Sequence, residues 1–266
     1  MKRVLLRTMV FAAAAVALAF LVLPVAAIFL RVPPGGLLHQ LTSPVVTDAL
    51  VVSLKTSAIA QALIVLFGTP LAYLVASRRF RGRALVVTLV ELPLVLPPAV
   101  AGIGLLALFG RAGLLGTSIP FTQTAVVLAV AFVSSPLYIR QAIASFEAID
   151  PNVVAAARTL GAGEGRTFFR VVLPLARGGL AAGEALAFAR GLGEFGATIM
   201  FAGSLQGLTQ TLPLAIYSAF SLSFDTALAM GALLVVVSAV LLVTLKLVLS
   251  WQPSRQTSSF LFARST

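Results

Sequence analysis

Six apolar runs, each long enough to cross a bilayer as a helix, divide this 266-residue chain. They are Thr8–Leu30, Ala49–Ala76, Ala84–Phe109, Phe121–Ile139, Leu180–Ala202 and Thr226–Leu249. A helix needs about 20 apolar residues to cross the hydrocarbon core. The expected fold is therefore all-α, a polytopic membrane protein of about six transmembrane helices forming one domain over residues 1–266. The third run is interrupted by Pro93, Pro97 and Pro98, and the fifth carries Glu184, Arg190 and Glu194.

Composition agrees. Only 10% of residues are charged and 59% are hydrophobic, whereas average soluble domains carry about 25% charged residues. So few charges cannot cover a water-facing surface. A formal net charge of +11 would suggest a nucleic-acid partner in a soluble protein. Here the basic residues sit in short segments between apolar runs, the pattern that orients a chain in a membrane, and no nucleic-acid partner is expected.

The absence of cysteine excludes disulfides, iron–sulfur clusters and thiolate zinc sites. The single histidine, His39, lies in a Pro/Gly-rich loop with no second histidine to complete a metal site or triad. It reads as a solvated loop residue, and no cofactor or metal is expected. Lys2, Arg3 and Arg7, an apolar run and Val25-Ala26-Ala27 also resemble a signal peptide. A signal's apolar region is usually about 7–15 residues. The run from Thr8 to Leu30 is longer, so a retained helix is expected.

Orientation follows from the lysines and arginines. With the N-terminus inside, the cytoplasm receives Lys2, Arg3, Arg7, Arg78, Arg79, Arg81 and Arg83. It also receives Arg140, Arg158, Arg166, Arg170, Arg177, Lys246, Arg255 and Arg264. The outer loops receive only Arg31 and Arg111, with Lys55 and Arg190 inside spans. The expected location is the cell membrane, with both termini and the long loop Arg140–Arg177 cytoplasmic.

That loop has its own pattern. Asp150-Pro151 is a helix start, since Asp caps free amides and Pro fits the first turn. Val153, Ala156, Ala157 and Leu160 recur at helical spacing, and Gly161 is placed to end the helix. A second short helix is expected from Glu164 to Leu173, with Phe168, Phe169 and Val172 as its apolar side and Pro174 ending or kinking it. On spacing alone two destinations stand equal: a groove on a partner protein, or the membrane surface.

Ala155-Ala156-Ala157-Arg158-Thr159-Leu160-Gly161, nine residues, then Val171-Val172-Leu173-Pro174 resembles the EAA loop of ABC-importer permeases. That signature reads Glu-Ala-Ala, three residues, Gly, nine residues, then Ile-x-Leu-Pro. The resemblance extends to Leu92-Pro93-Leu94-Val95-Leu96-Pro97-Pro98, Arg190-Gly191-Leu192-Gly193-Glu194-Phe195-Gly196 and Thr209-Gln210-Thr211-Leu212-Pro213. It covers nearly all of the chain from Ser53 onward. The arginine-led stretch is shared with sulfate and thiosulfate permeases; the double-proline and Thr-Gln-Thr-Leu-Pro segments resemble the molybdate and tungstate branch.

The resemblance implies a permease subunit that transports a tetrahedral oxyanion and is not itself an enzyme. It would work as a homodimer in membrane lipid, with cytoplasmic ATPase subunits and an extracytoplasmic oxyanion-binding protein. No Walker A pattern is present, so ATP hydrolysis would belong to a separate chain. The implied ATPase-coupling residues are Ala155, Ala156, Ala157, Arg158, Leu160, Gly161, Phe168, Phe169, Leu173 and Pro174. One departure stands out: Ala155 occupies the position of the family's Glu. A sulfate permease of the same class, and an ATPase-independent secondary transporter, are the alternatives.

Charge inside a bilayer is costly, about 2.5–3.5 kcal/mol for Arg or Asp at mid-helix on insertion scales. Arg190 and Glu194 are four apart and neutralise one another on one helical face. They read either as a structural ion pair or as part of an anion path. Broken helices at the midplane are where transporters place substrate routes, so Pro97, Pro98, Arg190, Glu194 and Phe195 form the candidate translocation path. Lys55 is expected to snorkel to the outer surface, and Glu91 to face the bundle interior or water.

Overall fold

The computed structural model describes residues 2–32, Gly35 and 43–250. His39, Arg255 and Arg264 lie outside them, as do the side chains of Lys2, Arg3 and Lys246. Every regular element among the described residues is helical. The helices are α1 (Lys2–Arg31), α2 (Pro44–Ser77), α3 (Arg83–Val95), α4 (Pro98–Phe109), α5 (Gln123–Glu147) and α6 (Pro151–Thr159). After α7 (Glu164–Thr167) comes a π-helical turn (Phe168–Val172), then α8 (Leu173–Leu192), α9 (Gly196–Ala202), α10 (Leu212–Phe220) and α11 (Phe224–Ser250).

Helices α2, α5 and α8 form the centre of the bundle. Small residues let them approach closely: a Cβ at Gly68 of α2 would lie 3.1 Å from Tyr138 and Ile139 of α5. The same seam carries a 2.5 Å hydrogen bond between the Thr69 and Tyr138 hydroxyls. Within lipid, where apolar burial between helices gains little, close packing and interhelical hydrogen bonds hold the bundle together. By contrast α1 is exposed along almost its whole length and packs against α11. Phe11, Phe20, Leu66 and Phe67 are exposed apolar side chains, as expected where the solvent is hydrocarbon.

Five helices are long and apolar enough to cross a membrane, and the bent pair α3–α4 makes a sixth. The third run turns by 113° between Val95 and Pro98. Pro97 and Pro98 cannot donate backbone hydrogen bonds, and Leu96, which precedes a proline, is extended with ψ 133°. Two expectations need correction. The fifth run is not continuous to Ala202, because α8 stops at Leu192 and α9 restarts at Gly196. Within the expected loop Arg140–Arg177, α5 stays helical to Glu147, and a helical stretch from Glu164 leads without a break into α8.

Pro174 does not end that helix, which continues through it to Leu192. Its missing N–H leaves a carbonyl of the preceding turn without a partner, and a π-helical turn accommodates such a shift in the ladder. Accordingly the Leu173 amide bonds the Phe168 carbonyl, five residues back.

Candidate coupling loop and translocation path

The loop between α5 and α8 is built by local backbone chemistry. Asp150 accepts a hydrogen bond from the Asn152 amide at 2.9 Å, capping α6, and Pro151 fills the first helical position. At the other end Gly161 adopts φ +82°. Its amide bonds the Arg158 carbonyl at 3.0 Å, and the Ala162 amide bonds the Ala157 carbonyl at 3.1 Å. This paired arrangement is a Schellman stop, which needs a left-handed residue. Thr167, buried at the start of the second arm, donates to the Ala162 carbonyl at 3.3 Å. The turn after α6 is thus tied to the end of α7.

The residues expected to couple to an ATPase divide by where they point. Leu160 is 87% exposed and Phe169 68% exposed, and Val153, Ala155 and Ala156 are exposed as well. Ala157, Leu173 and Phe168 are partly buried, while Arg158, Gly161 and Pro174 are exposed. Phe168 turns into the bundle, its ring 4.7 Å from Tyr73 and 6.3 Å from Phe146. Phe169 meets only its edge, at 5.0 Å, and faces outward. Val154, which the helical stripe omitted, packs instead against the core. Val153, Ala156, Leu160 and Phe169 are therefore uncovered apolar side chains on a capped loop.

At the other candidate site, the break between α8 and α9 is organised by Glu194. This carboxylate is 2% exposed. One oxygen accepts the Ala197 amide at 2.8 Å, satisfying a free donor at the start of α9, and the other meets Arg190 at 2.8 Å. Both oxygens thus serve the fold, and Arg190 remains about one-third exposed. The broken segment packs on the other broken span: a Cβ at Gly196 would lie 2.6 Å from the Pro98 side chain. One at Gly102 would lie 2.6 Å from the Ala197 carbonyl. So Pro98 meets Gly196, two residues beyond Glu194, at the α4–α9 contact, while the Phe195 ring lies 5.1 Å from Tyr217 of α10.

Two further charges in the spans find partners. Lys55 donates to the Gln123 side chain at 2.9 Å, and Glu91 pairs with Arg140 at 3.1 Å. Sequence reasoning missed Gln61, a buried amide in α2 with neither side-chain atom hydrogen-bonded, and Thr198, likewise unpartnered. A Cβ at Gly191 would lie 3.2 Å from the Gln61 amide nitrogen and 3.4 Å from the Ser134 hydroxyl. A lone amide within a long apolar run was the available signal, since buried polar groups in membranes are rare and expensive.

The sequence matches the family described as "Binding-protein-dependent transport system inner membrane component" over residues 68–253. The chain belongs to this family. The permease is 45% identical over 239 residues to the "Molybdenum transport system permease protein ModB" of Mycobacterium tuberculosis, covering 86% of this chain and 90% of that one. It is 41% identical to a "Probable molybdenum ABC transporter permease protein" of Haloferax volcanii, covering 86% of both chains. Among solved structures, a bacterial ABC transporter for alginate import aligns with a TM-score of 0.74 at 16% identity. That alignment covers 94% of this permease and 96% of the solved chain, and at such identity the likeness concerns the fold.

Proposed function

We propose that this permease is the membrane-spanning subunit of an ATP-driven importer for molybdate, with tungstate and sulfate as lesser candidates. Two copies form the pore, two cytoplasmic ATPase subunits dock on the Val153–Phe169 loop, and an extracytoplasmic binding protein delivers the oxyanion. Both termini lie in the cytoplasm, where the arginine-rich segments place the loop.

The observation that carries this reading is the uncovered apolar face of a capped two-helix loop that continues directly into transmembrane helices. An amphipathic helix in a groove is a recurrent docking mode, and the family's name specifies a binding-protein-dependent system. The molybdenum relatives support the substrate, and a related alginate transporter crystallised with its periplasmic protein supports the delivery partner. The arginine–carboxylate pair at Glu194 favours a structural role for that pair over a deep anion well.

The test is reconstitution in liposomes with the ATPase and binding protein. ATP-dependent molybdate uptake, resisted by excess sulfate and competed by tungstate, is the expected result. Uptake that proceeds without ATP or the ATPase would overturn the reading.

A further inference from the structure

The inner face of α6, which carries Val154, Ala155 and Arg158, closes a basic cleft. It measures about 960 Å³ and lies between the end of α2, the start of α3, the end of α5 and α6. Phe146 and Val172, both buried, form its inner wall, and Arg78, Arg79, Arg83 and Arg158 line it. Glu147 is the acid among the lining residues and is paired with Arg83. Among the described residues, Arg78, Arg79 and Arg158 have no ion pair or hydrogen-bond partner for their side chains.

Ala155 also lines this cleft. A glutamate there would place a carboxylate among these guanidiniums; alanine supplies none. Converging like charges are unfavourable until an anion joins them. A second cleft, about 490 Å³, shares Tyr73, Ser77 and Arg78 and continues to Pro70 and Leu74. Those two side chains are exposed on α2, a membrane-spanning helix. The basic cleft therefore adjoins a mostly apolar passage, with Glu164 as its one acid, that reaches the exposed face of α2.

We propose that the two clefts bind an anionic phospholipid, its phosphodiester among Arg78, Arg79 and Arg158 and an acyl chain running past Tyr73 along Pro70 and Leu74. Guanidinium forks match phosphate oxygens in charge and geometry, and basic pockets between helices at the cytoplasmic boundary suit anionic headgroups. A free tetrahedral oxyanion has the same charge chemistry, yet it would leave the apolar passage unfilled. A bound lipid would bridge the α2–α3 linker to α6 and so set the resting position of the coupling helix.

Native mass spectrometry of the full-length permease, exchanged into phosphatidylglycerol or phosphatidylcholine, tests this. Wild type should retain phosphatidylglycerol selectively. The Arg78→Gln/Arg158→Gln double variant should bind it roughly 25-fold more weakly, about fivefold per guanidinium removed. Arg170→Gln, on the same side but outside both clefts, should behave as wild type. Ala155→Glu should also lose the lipid, by placing a carboxylate in its headgroup site, with an unchanged melting temperature. Equal phosphatidylglycerol retention by wild type and the double variant would overturn the proposal. So would arginine-dependent binding of inorganic phosphate or molybdate to permease in phosphatidylcholine nanodiscs without selective phosphatidylglycerol retention.

Discussion

The Glu91 carboxylate of α3 lies 3.1 Å from the Arg140 guanidinium of α5. At the start of the same helix Arg83 pairs with Glu147, near the end of α5. The two pairs run in antiparallel register and fasten the first half of the broken span to the helix that leads into the coupling loop. Their side chains are partly exposed, so each contributes on the order of 1 kcal/mol or less to stability. Their value lies in transmission. A Glu91→Gln/Glu147→Gln variant should fold and stimulate the ATPase normally while transport per ATP falls severalfold. Paired measurement of uptake and hydrolysis in liposomes checks this; an unchanged ratio would rule out the clamp as a transmitting element.

Gly161 separates conformation from space. Nothing lies within 4 Å of a Cβ added there, but its φ is +82°. Gly161→Ala should therefore cost about 1–2 kcal/mol through left-handed strain alone, weakening the stop of α6 and ATPase association. Gly165→Ala, equally open and within α7, should be neutral or slightly stabilising. Pull-down of the ATPase by the two variants decides the point.

The loop was the most legible part of the chain because its signals are local. Asp150-Pro151 and Gly161 dictate their own turns through capping and backbone freedom, and neither depends on what packs nearby. Pro97-Pro98 was legible for the same reason, as proline chemistry acts on its own helix. The break at Gly193 was not. Glu194 reads as a helical partner of Arg190, and only the packing of α9 onto α4 reveals that its second oxygen caps a new helix. Gln61 was hidden among apolar neighbours, and the inward turn of Phe168 against the outward turn of Phe169 depends on the π-helical turn that Pro174 accompanies.

That division between adjacent phenylalanines is testable. Phe169→Asp should abolish ATPase docking with membrane insertion and melting temperature intact, since the side chain lies mostly in solvent. Phe168→Ala removes a ring from the Tyr73–Phe146 cluster and should cost about 2–3 kcal/mol, below the usual range for a fully buried ring because Phe168 is only partly buried. Thermal unfolding in detergent distinguishes them. Equal destabilisation by both would contradict the assigned orientations.

The α4–α9 contact predicts a contrast between glycines two positions apart. A Cβ at Gly102 would lie 2.6 Å from the Ala197 carbonyl and 2.7 Å from the Met200 side chain, while one at Gly104 meets nothing within 4 Å. Gly102→Ala should cost about 1–3 kcal/mol through overpacking. Gly104→Ala should be tolerated or mildly stabilising, as alanine favours a helix over glycine. Melting curves of the two variants measure the difference directly.

Glu194 holds two interactions that conservative substitution can separate. Glu194→Gln keeps an amide oxygen to accept the Ala197 N–H but removes the charge opposite Arg190. Arg190 is about one-third exposed, so water can partly solvate the freed guanidinium. Glu194→Ala removes both and leaves the Ala197 amide unpaired in a buried site. Because Arg190 keeps some access to water, losing the pair costs less than the about 3–5 kcal/mol of a fully buried one, and the unmet amide adds about 1–3 kcal/mol. The alanine variant should therefore fail to fold or unfold at much lower temperature, while the glutamine variant should remain folded with a smaller loss. Adding Arg190→Gln to Glu194→Gln should restore much of that loss if the pair is structural. If the double variant melts near wild type yet still fails to transport, Arg190 acts on the substrate as well, and the two readings of this pair are separated by one measurement.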